Sequence, residues 1–118
     1  MKTVSTLEEF QQQQRSGALL ALFGGPHCGV CQALKPKLSE LVASRFPEIV
    51  LLYVDCEQSR EICAQQGVFS LPVVKLFIEG QMHLELAGSF SLQALASRIE
   101  RAYGLWITLR QGGNPPGQ

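Results

Sequence analysis

Two periodicities alternate along the chain. Residues Ala18–Phe23 and Ile49–Val54 are unbroken apolar runs of strand length, the pattern of strands buried on both faces. Between them Val30, Leu34, Leu38, Leu41 and Val42 recur at helical spacing, which predicts a helix from Cys28 to about Arg45. Pro36 lies inside it and is expected to kink it by removing one backbone donor. Ahead of the first strand, Ser5-Thr6-Leu7-Glu8 reads as a capping box that opens a helix with Val4, Leu7 and Phe10 on its apolar side. Gln11–Gln14 is its solvated end, and Arg15-Ser16-Gly17 breaks it. Gly24-Gly25-Pro26 turns the chain out of the first strand, and Ser59–Gln66 predicts a short helix ending at Gly67.

The second half changes character. Val73–Ile78 and Met82–Ala87 flank Glu79-Gly80 as the arms of a hairpin. After Gly88, a segment led by Ser91 places Leu92, Leu95, Ala96, Ile99 and Tyr103 on one helical face, and Gly104 is expected to end it. Leu105–Leu109 is apolar and β-prone, and Gln111–Gln118, built of Gly, Pro, Asn and Gln, is expected to be disordered. The order α-β-α-β-α followed by β-β-α predicts an α/β fold, a three-layer α/β/α sandwich with a mixed β-sheet. No internal repeat is visible.

A chain of 118 residues is the size of one domain and long enough to bury its own core. Ten basic and ten acidic residues give a formal net charge of zero. That speaks against a nucleic-acid partner, which demands a basic stripe, and against an electrostatic membrane anchor. No apolar run approaches the roughly 20 residues that cross a bilayer. The N-terminal residues lack the basic-then-apolar pattern of a secretory signal, so a cytoplasmic location is expected.

The chemistry-bearing residues are four cysteines, at positions 28, 31, 56 and 63. Cys28 and Cys31 form a C-x-x-C at a predicted helix start, a spacing that reads as redox or metal chemistry. A dithiol exchanger needs one thiolate that attacks and a second thiol close enough to release the mixed disulfide. Cys28 would lie where unpaired backbone N–H groups and the helix dipole favour negative charge. Cys31 would lie one turn in and more buried, so the first attacks and the second resolves. His27, directly before the nucleophile, could support the thiolate when protonated. A zinc site is the competing reading, and it lacks a second ligand pair at metal spacing, so no metal is expected. On one helix, seven positions separate Cys56 from Cys63 by about 10 Å, beyond the reach of a disulfide. Cys56 precedes the predicted helix, which softens that objection without removing it; free cysteines are expected there, with a regulatory disulfide between the two as the alternative. Lys75 interrupts an apolar run and is expected to snorkel to water. His83 reads as a hairpin surface residue, and Trp106 as an intramolecular packing residue.

Leu71-Pro72 falls directly before the second block of strands, where a proline is awkward. A cis peptide there would leave the backbone polar groups of Leu71 free to pair with an extended substrate chain; an ordinary trans proline at a strand start is the alternative.

Taken in register, these features resemble the thioredoxin family over nearly the whole of Ser5–Tyr103. They are the apolar strand ending at Cys28-Gly29-Val30-Cys31, Pro36 five residues on, Val54-Asp55, Leu71-Pro72, Phe77 with Glu79-Gly80, and Gly88 before the last helix. The resemblance implies a thioredoxin-like domain over residues 1–104, followed by an extension and tail over 105–118. It implies a thiol–disulfide oxidoreductase, a protein-disulfide reductase without bound cofactor, with Cys28 the nucleophile and Cys31 the resolving cysteine. His27, Gly29, Leu71, Pro72, Ala87 and Gly88 would line the groove that holds protein disulfide substrates. A reductase such as thioredoxin reductase would recycle the pair, placing a monomeric protein in cell redox homeostasis.

The chain also departs from the family pattern. Thioredoxins usually carry Trp-Cys-Gly-Pro-Cys, where this chain has His27-Cys28-Gly29-Val30-Cys31. The aspartate that thioredoxins bury beneath the dithiol is matched here by Leu22, and the lysine paired with it by Leu51. No side chain is then evident to take the Cys31 proton, and slow resolution is expected. These losses keep open a second function, a thioredoxin-fold partner-binding or chaperone-like module with weak or no redox turnover. A glutaredoxin-like function is disfavoured because nothing marks a glutathione site.

Overall fold

The computed structural model describes residues 1–112. In chain order the elements are β1 (Lys2–Thr3), α1 (Leu7–Arg15), β2 (Ala18–Gly24), α2 (Gly29–Arg45), β3 (Ile49–Asp55), α3 (Arg60–Gln65), β4 (Val73–Ile78), β5 (Gln81–Ala87) and α4 (Leu92–Arg110). The strands form one sheet in the order β1-β3-β2-β4-β5. β1 and β2 run parallel to β3, whereas β4 runs antiparallel to β2 and β5 antiparallel to β4. The sheet is therefore mixed, with helices on both faces.

The unbroken apolar character of β2 follows from its central place. Leu20 and Leu22 enter the cluster built with Leu38 of α2 and Leu95 and Ile99 of α4. Leu19, Ala21 and Phe23 enter the opposite cluster, with Phe10 of α1 and Ile62 of α3. Successive side chains on a strand point to opposite faces, so a strand covered twice has no polar position. The hairpin strand β5, at the sheet edge, buries Leu84 and leaves Gln81, Met82, His83 and Glu85 exposed.

Helix starts follow local chemistry. Thr6 Oγ1 accepts from the Glu9 N–H at 3.1 Å, so the cap stands one residue later than a box opened by Ser5. Ser91 Oγ caps α4 in the same way, accepting from the Ala94 N–H at 3.0 Å. β1, a two-residue strand, carries no period that a sequence reading could detect.

Three expectations are corrected. First, α4 does not end at Gly104 but continues to Arg110, so Leu105–Leu109 is helix rather than strand and position 104 falls inside an element. A helical glycine costs about 1 kcal/mol, and burial of Trp106 outweighs it. That indole is 8% exposed in the core and donates from Nε1 to Glu79 Oε1 at 3.2 Å. Of the tail expected to be disordered, residues 111 and 112 form a turn, and residues 113–118 lie outside the described residues. Second, Lys75 does not snorkel. It is 5% exposed, donates to the carbonyl of Gln66 and pairs with Glu85 Oε2 at 3.2 Å. It thereby fastens the end of α3 to β5. Third, Cys56 and Cys63 are paired, for a reason given below. No helix among the described residues is long and apolar enough to cross a membrane.

Candidate functional site

The register gathers the candidate residues at one end of the sheet. Gly24 closes β2 beside Asp55 of β3, and Phe23 pairs with Val73, the first residue of β4. Val73 in turn pairs with Ala87, the last residue of β5. The Gly88 N–H bonds to the Pro72 carbonyl at 3.0 Å, tying the end of β5 to the Leu71-Pro72 peptide, which is cis. Leu71 leans on the turn that carries the cysteines: a Cβ added to Gly25 would lie 3.4 Å from its Cδ1. Cys28, Cys31, Leu71, Pro72, Ala87 and Gly88, far apart in sequence, thus converge. His27 and Gly29 flank Cys28 and are exposed.

Cys28 caps α2. Its sulfur accepts from the Cys31 N–H at 3.3 Å, and its own N–H bonds to the Gly25 carbonyl at 3.2 Å. The Cys31 N–H donor belongs to the helix start, where negative charge on sulfur is favoured. Cys28 and Cys31 form a disulfide with Cα atoms 5.2 Å apart. Cys31 is fully buried and Cys28 half-buried, so an incoming sulfur can meet Cys28 alone.

Beneath the pair, on the α2 face of the sheet, the position expected to carry no polar group does have one beside it. Leu22 stands next to Tyr53 across the β2–β3 ladder, and Leu51 stands next to Leu20. The residue that faces position 22 across the ladder is therefore Tyr53. Tyr53 is 4% exposed, and its hydroxyl accepts from Gln32 Nε2 at 3.4 Å. Gln32 Nε2 also donates to the Gly25 carbonyl at 3.0 Å, and Lys35 Nζ lies 4.0 Å from the Tyr53 ring centroid. Burial, reinforced by the negative charges of Asp55 and Glu57 and partly offset by the Gln32 bond, pushes the phenol up from its ordinary value, so it keeps its proton. The missing side chain of Gly24 leaves room for both Tyr53 and Cys31. A Cβ there would stand 2.8 Å from Cys31 Cβ, 3.1 Å from Cys31 Sγ and 3.1 Å from Tyr53 Cε1.

Cys56 and Cys63 form a second disulfide, with Cα atoms 5.7 Å apart. The expectation of free cysteines rested on helical spacing, which does not apply here because Cys56 stands before the helix. It lies in a turn in which Asp55 Oδ1 accepts from the Glu57 and Gln58 N–H groups and the Asp55 carbonyl from the Ser59 N–H. The chain doubles back before α3 begins and brings the two Cα atoms within disulfide range.

Phe69 was not singled out in the sequence, and it is 90% exposed. The chain is anchored just before it, where the buried Val68 bonds through its N–H to the Cys63 carbonyl, and just after it, at Pro72. With Val30 and Leu71, 56% and 37% exposed, it adds uncovered apolar surface on the segments that carry the site. A lone phenylalanine in a loop gives no sequence signal of its orientation. Among the described residues no group of three or more His, Cys, Asp or Glu side chains is gathered as a metal site would require.

Comparison with known proteins adds to this geometry. The family model described as thioredoxin matches residues 2–101. The thioredoxin-like protein YdfQ of Bacillus subtilis is 28% identical over 106 residues, covering 90% of this chain and 92% of the relative. Protein disulfide isomerase-like 2-2 of Oryza sativa is 31% identical over 110 residues, covering 91% of this chain, which spans only 29% of that longer protein. Among solved structures, a mutant thioredoxin from Halobacterium salinarum superposes with a TM-score of 0.76 at 26% identity, over 86% of this chain and 88% of that one.

Proposed function

The chain belongs to the thioredoxin family, and from that premise we propose that its Cys28–Cys31 dithiol reduces or exchanges disulfides of other proteins. It is a thiol–disulfide oxidoreductase of thioredoxin type, and the observation that carries the assignment is the dithiol itself. A half-exposed sulfur caps a helix, and a fully buried partner sits one turn behind it. The Cys28 thiolate attacks a substrate sulfur, forming a mixed disulfide and expelling a thiolate that takes up a proton. Cys31 then loses its proton and attacks Cys28 Sγ, closing the Cys28–Cys31 disulfide and releasing the second substrate thiolate. An external dithiol reductase returns two electrons and two protons. His27, Gly29, Leu71, Pro72, Ala87 and Gly88 form the groove that holds the substrate chain across this site.

Reduction of insulin disulfides by dithiothreitol tests the reading. Turnover well above the dithiothreitol background is expected. Background turnover alone, in folded protein with free thiols, would move the assignment to the partner-binding module that the departures at His27 and Leu22 leave open.

Phe69 extends the groove with an apolar contact. Burying part of that ring against a substrate stabilises the complex by about 1 kcal/mol, roughly fivefold in affinity. Phe69→Ser should raise KM by about that factor for peptides with a large apolar residue beside the cysteine, and leave glycine-flanked peptides unchanged. Equal effects on both peptide sets would remove Phe69 from recognition.

The absent carboxylate at Leu22 and the neighbouring His27 favour the Cys28 thiolate, which stabilises the reduced form and makes the disulfide the better oxidant. A stabilisation of about 1.4 kcal/mol corresponds to about 30 mV for a two-electron couple. Equilibration with glutathione redox buffers is expected to give a potential less reducing than that of general-purpose thioredoxins; one equal to or below theirs contradicts it.

We place the protein in the cytoplasm, acting as a monomer without nucleic-acid or membrane partners, with a role in cell redox homeostasis. The Cys56–Cys63 pair reports on the compartment, since glutathione and thioredoxin keep cytosolic thiols reduced. Rapid acid quenching of cells followed by alkylation of the unfolded protein should label both cysteines. An intact Cys56–Cys63 bridge in cells would place the protein in an oxidising compartment instead.

A further inference from the structure

Cys31 is fully buried, so the thiolate it must become in the resolving step has no water to stabilise it. Leu22, two residues before Gly24 in β2 and on the same face of the sheet, offers no polar group. The neighbouring position across the ladder carries a phenol, and neighbouring strands lie only about 5 Å apart. We propose that Tyr53 is the positioning residue for resolution, its hydroxyl donating a hydrogen bond to the Cys31 sulfur as that thiol becomes a thiolate. This rests on the reading of the chain as a dithiol exchanger and names the group that serves its second half-reaction.

Four observations support it. Tyr53 and Cys31 close on the same point, the place where a Gly24 side chain would stand, at 3.1 Å from Tyr53 Cε1 and 3.1 Å from Cys31 Sγ. Tyr53 lies next to Leu22 on the face of the sheet that α2 covers. Gln32 fills an acceptor site of the hydroxyl, from the residue that follows Cys31, and so leaves the phenolic hydrogen free to donate. The surrounding charges are Lys35 from α2, over the ring, and Asp55 and Glu57 from β3 and its turn. Burial and the negative charges of Asp55 and Glu57, partly offset by the Gln32 bond, leave the phenol protonated, a donor rather than a base. In the step itself Cys31 gives its proton to solvent, the Cys28–Cys31 bond forms, the bond from Cys28 to substrate breaks, and the departing substrate thiolate is protonated. Tyr53 neither gains nor loses a proton overall.

The reaction of the reduced protein with an aromatic disulfide that releases a coloured thiolate separates the halves in a stopped flow. A first phase reports attack by Cys28, and a second reports resolution by Cys31. Tyr53→Phe keeps the ring and removes the donor. The second phase should slow about tenfold, the factor expected for one hydrogen bond to a charged group. Its pH midpoint should move up by roughly one unit while the first phase is unchanged. A second variant, Gln32→Leu at an exposed helix position, should shift the second phase the same way and less. A second phase with unaltered rate and midpoint in Tyr53→Phe overturns the proposal, as does a slowing of both phases without a midpoint shift, which marks a structural role only. Wild-type protein with no second phase would overturn the exchange reading, and this proposal with it.

Discussion

Cys28→Ser brings insulin reduction down to the dithiothreitol background, while Cys31→Ser leaves a protein that attacks but does not let go. The hydroxyl of serine ionises far above the thiol range near 8.5 and cannot supply a nucleophile at neutral pH. The loss should exceed about a thousandfold, as removal of a nucleophile does elsewhere. Without Cys31, the mixed disulfide on Cys28 persists because the resolving sulfur one turn behind it is missing. A covalent complex with substrate should then accumulate stoichiometrically and be visible on a non-reducing gel. The asymmetry follows from exposure: Cys28 is half-buried and Cys31 fully buried. Trapping through Cys28 in Cys31→Ser, and none through Cys31 in Cys28→Ser, is the expected pattern. The reverse pattern would exchange the two roles.

Gly24→Ala is the substitution expected to damage the site most without touching a cysteine. The new methyl would lie 2.8 Å from Cys31 Cβ, an atom fixed by the first turn of α2, and 3.1 Å from the buried Tyr53 ring. Neither neighbour is the loose end of a side chain. Overpacking of this kind costs about 1–3 kcal/mol, or about 5–10 °C in Tm. The strain falls on Cys31 and on Tyr53 together, so exchange should slow as well as stability fall. Gly104→Ala supplies the opposite sign. Nothing lies within 4 Å of a Cβ there, in the interior of α4, so the helix should gain about 0.5–1 kcal/mol. Thermal unfolding of the two variants reads both effects. A Gly24→Ala protein as stable as wild type would mean that α2 can slide away from β2 at no cost.

Much of the architecture was legible from period alone. The runs at 18–23 and 49–54 were recognisable as doubly covered strands because burial on both faces removes every polar position. Cys28 and Cys31 were recognisable as a dithiol because their spacing matches one helical turn at a capping position. The errors share a cause. Gly104 and the two outer cysteines were judged from local rules, a helix breaker and a helical rise. The packing of Trp106 overrode the first rule, and the turn anchored on Asp55 removed the premise of the second.

The pattern of residues along the chain therefore specifies which elements form, in what order, and that a dithiol opens the second helix. These depend on near neighbours: alternation, capping, and the geometry of three successive peptide units. Other features lie outside its reach, because each needs parts of the chain distant in sequence to be set side by side. That Tyr53 rather than Leu51 lies beside Leu22 is a matter of ladder register. That Gly24 leaves room for both Cys31 and Tyr53 is a matter of how closely α2 approaches the sheet. That Phe69 stands in solvent follows from anchors at Val68 and Pro72 which hold the loop between them away from both cores. Register and interlayer distance are set by the packing of the whole core, and the environment of the resolving thiol follows from them.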